Sequence, residues 1–399
     1  MTVLLRPQPV GVLPLPAGGL VVPDVPGAVE VVASLAKGIV PTSWPAGLEF
    51  FGAAAAGDLD TALAYLAGAT DPVLRVNAFV LAPEAARYQA LRAELSGDLL
   101  ALLDSAAFTA GVIDAAPEPA GLTGEVLAVV LLTRAADALE HGSSDDVRAL
   151  LSAAVEASRE VVPALAAQLM GTLAGFDPDT APQRYAEALA LLPTGAQTQV
   201  RAELLYDRGI ALQSNAAGRP GVLKEAVRCY QQALVVFRRE SHPQLFAEAQ
   251  MNLALCHLAT PMAEAGDNLR LGIAVQALRD ALTVWDRESF PEQWASVTLN
   301  LANALQYLPS AHQEDNLAEA VEHYEELLSV RDATTDPQGF ARVLANQGNA
   351  LAHLGITNHA YEKLSAARDL FVAAQDDASA DAVASTLIEL DAMRMVESA

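Results

Sequence analysis

Cationic side chains are scarce in this sequence: 24 Lys and Arg stand against 49 Asp and Glu over 399 residues, a formal net charge of −25. A field of that sign repels phosphate backbones and anionic lipid surfaces, so neither nucleic acid nor membrane is an expected partner. Cysteine is scarcer still. Cys229 and Cys256 lie 27 residues apart, without Cys-x-x-Cys spacing or a nearby histidine pair, which argues against a disulfide or metal framework and for a reducing compartment. Aromatic residues make up 5% of a chain that is 52% hydrophobic, so the core must come from Ala, Leu and Val, which suits close-packed helices better than strands. No apolar run of about eighteen residues occurs. The N-terminus offers one base, Arg6, followed by prolines rather than a signal-peptide core. The expected location is the cytoplasm. A mean hydropathy of +0.25 is high for such a chain and implies apolar surface covered by a partner or a second copy.

Catalytic motifs are missing as well. The sequence holds no Gly-x-x-x-x-Gly-Lys-Ser/Thr phosphate loop, no Gly-x-Gly-x-x-Gly, no His-Glu-x-x-His and no Gly-x-Ser-x-Gly. His353 and His359 have no evident third ligand, and the adjacent Cys256 and His257 would point about 100° apart on a helix. Carboxylate pairs such as Asp145-Asp146 and Glu325-Glu326 fit helix starts or solvated faces. No catalytic residue, cofactor or metal is expected, and the chain reads as a non-enzyme.

What the chain does contain is repetition between about 197 and 373. Leu344, Gln347, Gly348, Leu351, Ala360, Leu364 and Ala367 fall at offsets 0, 3, 4, 7, 16, 20 and 23, which put small and apolar residues on one stripe of each of two helices, with a turn near Gly355. Asn346-x-Gly348-x-Ala350 is preceded by Asn300-x-Ala302-x-Ala304, Asn252-x-Ala254-x-Cys256 and Asp207-x-Gly209-x-Ala211, at spacings of 46, 48 and 45 residues. The second helices keep register, as Ala226/Tyr230/Ala233, Ala274/Leu278/Ala281 and Ala320/Tyr324/Leu327. Hairpins of this kind cannot bury their apolar faces alone and must stack.

On these residues the chain resembles the tetratricopeptide-repeat (TPR) family. The last copy follows its repeat of about 34 residues at the small and apolar sites. The other three look like a long-turn variant of the kind found in bacterial signalling and scaffold proteins, with extra residues at 215–223, 260–271 and 309–317. Leu344 stands where the family has an aromatic, so the match rests on the pattern of sizes. The resemblance implies an all-α, right-handed α-solenoid of helix-turn-helix repeats that binds proteins or peptides. It also implies a concave groove lined by the first helix of each repeat. Carried over position by position, the groove candidates are Tyr206 and Gln213 in the first copy, Met251 in the second, Asn303, Gln306 and Tyr307 in the third, and Arg342, Asn349 and His353 in the last. Asn303 and Asn349 could each offer a donor and an acceptor to a peptide backbone. Arg342 is the one base among these positions, so the family's clamp for a C-terminal carboxylate, which needs several, does not carry over.

Four segments are expected. Residues 1–45 carry eight prolines and read as an extended apolar arm, with Val10–Leu13 and Leu20–Val22 unsuited to water; the arm either packs along its own body or docks on a partner. Residues 46–192 read as helical hairpins, either degenerate repeats or a separate helical subdomain, with Asp58 capping an early helix. Residues 193–375 hold the four clear repeats, and 376–399 a capping helix. The expected function is a non-catalytic scaffold, adaptor or assembly factor that binds a partner protein. The alternative is a regulatory sensor whose solenoid binds a peptide or small ligand and changes partner choice. Solenoid ends and the arm also offer self-complementary patches for a homo-oligomer.

Overall fold

The computed structural model describes residues 19–196, 198–261, 267–308 and 312–397, leaving aside the side chains of 267 and 393–397. Among the described residues there are nineteen helices and no strand, and helices adjacent in sequence pack against one another. The chain is an α-solenoid of TPR-like hairpins, as the offsets imply. It divides into two compact units, 1–215 and 216–399, with the boundary falling between the two helices of the first clear repeat.

The first unit runs through α1 (Ala28–Ala36), α2 (Glu49–Ala55), α3 (Leu59–Leu66), α4 (Pro72–Leu81), α5 (Ala85–Arg92) and α6 (Gly97–Thr109). It continues with α7 (Gly124–Glu140), α8 (Ser144–Ser158), α9 (Pro163–Ala174), α10 (Ala181–Leu191) and α11 (Thr198–Ser214). Asp58 caps α3 as expected, its Oδ1 accepting from the Thr61 N–H at 3.1 Å. Asp71 does the same for α4, ahead of a proline that has no N–H to leave unpaired.

One expectation needs correcting within the arm. Residues 28–36, read as extended from their flanking prolines, form α1. Ala28, Val31, Val32 and Leu35 make an i, i+3, i+4, i+7 stripe, all of it buried in the core with Leu48, Phe50 and Phe51. That burial outweighs the weak helix propensity of three valines. Leu20, Val21 and Val22 are also buried, at 0–1% exposure, so this stretch of the arm packs on its own unit. Val10–Leu13 lies outside the described residues.

The second unit holds α12 (Pro220–Ala233), α13 (Pro243–Ala259), α14 (Asp267–Leu282) and α15 (Pro291–Tyr307). It ends with α16 (Gln313–Val330), α17 (Pro337–His353), α18 (Thr357–Ala373) and α19 (Asp377–Glu397). The same register is buried in successive second helices: Leu223, Ala226, Tyr230 and Ala233 in α12, then Leu271, Ala274, Leu278 and Ala281 in α14, then Leu317, Ala320, Tyr324 and Leu327 in α16. Gly348 shows why the small sites are small. A Cβ there would sit 2.6 Å from Leu364 Cγ and 3.2 Å from the Ala360 carbonyl oxygen, so α17 and α18 approach closely only because it is absent. Gly355, at φ +75°, makes the turn between them. α19 then lays Ala380, Val383, Leu387 and Leu390 onto the last hairpin, covering the apolar face that a solenoid would otherwise end on.

Candidate functional site

The nine groove candidates do not share one environment. Tyr206 and Gln213 are half-buried on α11 of the first unit, and neither is without a partner. Met251 is half-buried on α13. On α15, Tyr307 is 69% exposed, whereas Gln306 is buried at 7%.

Gln306 and Asn303, expected to face a groove, are instead tied into a polar network that joins α15, α16 and α17. The Tyr324 hydroxyl, on a fully buried ring, donates to Asn303 Oδ1 at 2.7 Å and accepts from Gln306 Nε2. Asn346 Nδ2 donates to the same Asn303 oxygen at 2.9 Å, and Gln306 Nε2 also reaches the Asn346 carbonyl at 3.4 Å. A buried phenol needs an acceptor for its O–H, which Asn303 supplies, while Gln306 donates to the phenol oxygen. Burial pushes the Tyr324 phenol far above its usual range, so it stays a neutral donor. The Asn303 acceptor is therefore committed within the protein.

Arg342 and Asn349 behave differently. Both line an open cleft of about 320 Å³ in which α17 faces α19. Ala345 and Asn346 of α17, Phe371 of α18, and Val383 and Thr386 of α19 complete most of its wall. The hydroxyls on the α19 side are already used: Ser379 Oγ donates to Asp376 Oδ2 at 2.8 Å, and Thr386 Oγ1 to the Ala382 carbonyl at 3.4 Å. Among the described residues Arg342 and Asn349 have no hydrogen-bond or ion-pair partner, and Arg342 is the charged group in the lining. The cleft thus presents one guanidinium and one carboxamide over an apolar surface of Ala345, Phe371 and Val383. That set can accept an anionic or carbonyl oxygen and cover a short apolar segment beside it. His353, at the far end of α17, is exposed and does not line the cleft.

Two other clefts, both in the first unit, are larger. In the one of about 450 Å³, Arg75 is paired with Glu94 and Arg87 donates to the Ala78 and Ala82 carbonyls at 2.9 and 3.1 Å, so its cations are spoken for. The one of about 440 Å³ sets Glu30 beside Trp44, Pro41 and Pro45. Reactive chemistry is weakly supported elsewhere. Burial pushes the Cys256 thiol up to about 12, and burial, aided by the Arg270 charge, lowers the His257 imidazole. Among the described residues no three His, Cys, Asp or Glu side chains are grouped to hold a metal, and no helix is long and apolar enough to cross a membrane.

No family model matches the chain, and no curated protein matches it. Among solved structures, the Rap protein complexed with Competence and Sporulation Factor is similar: 14% identical, covering 86% of this chain and 96% of that one, with a TM-score of 0.38. The TPR2AB domain of yeast Sti1, solved as a pHSP90 complex, is 16% identical, covering 67% of this chain and 100% of that one, with a TM-score of 0.24. At such scores the likeness carries no partner or ligand over to this chain.

Proposed function

We propose that the protein is a non-catalytic scaffold or adaptor of the cytoplasm that binds a partner protein through the α17–α19 cleft. The observation that supports this reading is the pairing of a guanidinium and a carboxamide, neither with a partner among the described residues, beside an apolar wall, in a chain that carries twice as many acids as bases. In so acidic a protein an arginine without an acid beside it keeps its charge available for an incoming one. The partner would present an extended segment with an acidic side chain against Arg342 and a backbone amide against Asn349, its neighbouring side chain resting on Phe371 and Val383. Affinity purification from the native host, read for stoichiometry, tests this. The wild-type chain should recover one protein near one-to-one, and Arg342→Glu with Asn349→Ala should lose it. Equal recovery by both chains would refute the site.

A ligand-sensing role draws support from one feature. The cleft is walled by the end cap itself, so a ligand bound there would tie α19 to α17. A small carboxylate that raises the melting temperature as RT ln(1 + [L]/Kd) requires would favour that reading. No shift with any small molecule, alongside a large one with a protein, would favour the scaffold.

A further inference from the structure

The cleft of about 440 Å³ in the first unit is lined by Glu30 and Ser34 on α1 and by Pro41, Ser43, Trp44 and Pro45 of the loop that follows. The Trp44 ring is held in place. It stacks on Phe51 of α2 with centroids 5.4 Å apart, and it lies against Gly52, where a Cβ would come within 2.6 Å of its Cδ1. The ring nevertheless stays half-buried. Among the described residues, the Trp44 indole N–H and the Ser34 and Ser43 hydroxyls donate to no acceptor, and Glu30 pairs with no base. Val29, Ile39 and Val40, neighbours in sequence of these residues, are exposed at 38–67%. The lining therefore offers donors in surplus, one carboxylate and an aromatic ring between two prolines. A proline-rich segment that carries a base complements each of these. Prolines present carbonyls without N–H groups, hold the backbone extended and pack on aromatic rings.

We propose that this cleft is the docking site of the chain's own Arg6-Pro7-Gln8-Pro9, with the Arg6 guanidinium against Glu30 and the two prolines on Trp44. Charge selects that occupant first. Arg6 is the only base ahead of Lys37, it adjoins Pro7, and Glu30 is the only charged group in the lining. The path of the chain selects it as well. After the buried residues 20–22 the backbone turns twice, the Val25 N–H donating to the Pro23 carbonyl and the Ala28 N–H to the Val25 carbonyl, both at 3.0 Å, with Gly27 at φ +86°. Those turns bring Gly27 into the lining of the cleft itself. Gly27 follows Gly19 by eight residues, partly folded into turns, whereas Pro9 precedes Gly19 by ten, so the tether is longer than the gap it must cross. Leu20, Val22, Val31 and Trp44 also share one core cluster, which keeps the anchor of the arm and the cleft together. A short tether gives the segment an effective concentration in the millimolar range, enough for a four-residue motif to occupy the site.

The test is NMR of the indole N–H signals in the ¹⁵N-labelled full chain. The sequence has three tryptophans, and the Trp44 signal is assigned by its loss in Trp44→Phe. Trp285, whose Nε1 donates to Gln244 at 2.7 Å, and Trp294 serve as internal controls. Arg6→Glu combined with Pro7→Ser and Pro9→Ser should move the Trp44 signal by more than its linewidth and leave the other two in place. Arg6→Glu alone should move it part of the way, and adding Glu30→Arg to that variant should return it. A peptide of residues 1–10 should restore the signal in the triple variant saturably. The unaltered protein should need at least about tenfold more of it for any change, because its site is already filled. The proposal is overturned by a Trp44 signal that is the same in the unaltered and triple-variant chains, or by a charge swap that fails to return it. It is overturned equally by a difference that grows with protein concentration, which would place a second copy's segment in the cleft.

Discussion

Asn77 and Asn349 are the same side chain in two opposite situations, one in each unit. Asn77 is fully buried and spends both its donor and its acceptor on the backbone of Val21, part of its own chain. Asn349 is half-buried, lines an open cleft beside Arg342 and, among the described residues, has neither function engaged. The chemistry on offer is identical; occupancy separates a structural clamp from a binding candidate. Asn303 sharpens the lesson, because it stands at a groove position yet has its acceptor shared between Tyr324 and Asn346. A repeat offset places an amide on a helix face. Whether it is free depends on the side chains of the next helices.

Substitutions that remove these groups should separate the two units cleanly. Asn77→Leu leaves the Val21 N–H and carbonyl buried without partners and should cost about 2–4 kcal/mol in chemical denaturation. Gly348→Val drives a side chain into Leu364 and the Ala360 carbonyl, and should cost about 1–3 kcal/mol while disturbing the α17 wall of the open cleft.

Asp207 tests the reverse case in the first unit, a carboxyl with no hydrogen-bond partner among the described residues. Burial, aided by the Glu203 charge, raises it to about 6. A folded value above the unfolded one means its contribution is fully present below about pH 4 and is lost as pH rises through about 6. Asp207→Asn should therefore raise stability by about 1–3 kcal/mol at pH 7.5 and change nothing at pH 3.5, as melting at the two pH values would show. Tyr324→Phe removes the hydroxyl that engages Asn303 and Gln306 and should cost about 1–2 kcal/mol. The smallest effect on stability is expected from Asn349→Leu, within about 0.5 kcal/mol, since it breaks no bond. A large loss there would erase the contrast with Asn77.

Much of the fold was legible because it is carried by the sizes of side chains. Gly348, Ala360 and Ala367 are small where helices touch, and the buried register of α12, α14 and α16 repeats in the sequence itself. α1 was harder to see. Eight prolines spread over 1–45 masked the stripe Ala28, Val31, Val32 and Leu35, which only burial against Leu48 and Phe51 makes helical. The site was legible in part. Arg342 and Asn349 come from the repeat offsets, but the cleft they line needs α19, and no offset says that a terminal cap will wall the last repeat. Gln306 carried a usable signal in the tyrosine at the core position of the paired helix, since a buried phenol demands hydrogen-bond partners. Asn77 carried one too, as a single amide in the otherwise apolar run Val76-Asn77-Ala78-Phe79-Val80-Leu81.

The most direct measurement is side-chain amide hydrogen exchange by NMR in the full-length protein, alone and with the partner recovered by affinity purification. The Asn77 carboxamide should be strongly protected in both states. The Asn349 carboxamide should exchange rapidly in the free protein and slow on partner binding. Protection of Asn349 before any partner is added, or exchange that does not change when the partner is bound, would contradict the assignment of the α17–α19 cleft as the open binding site.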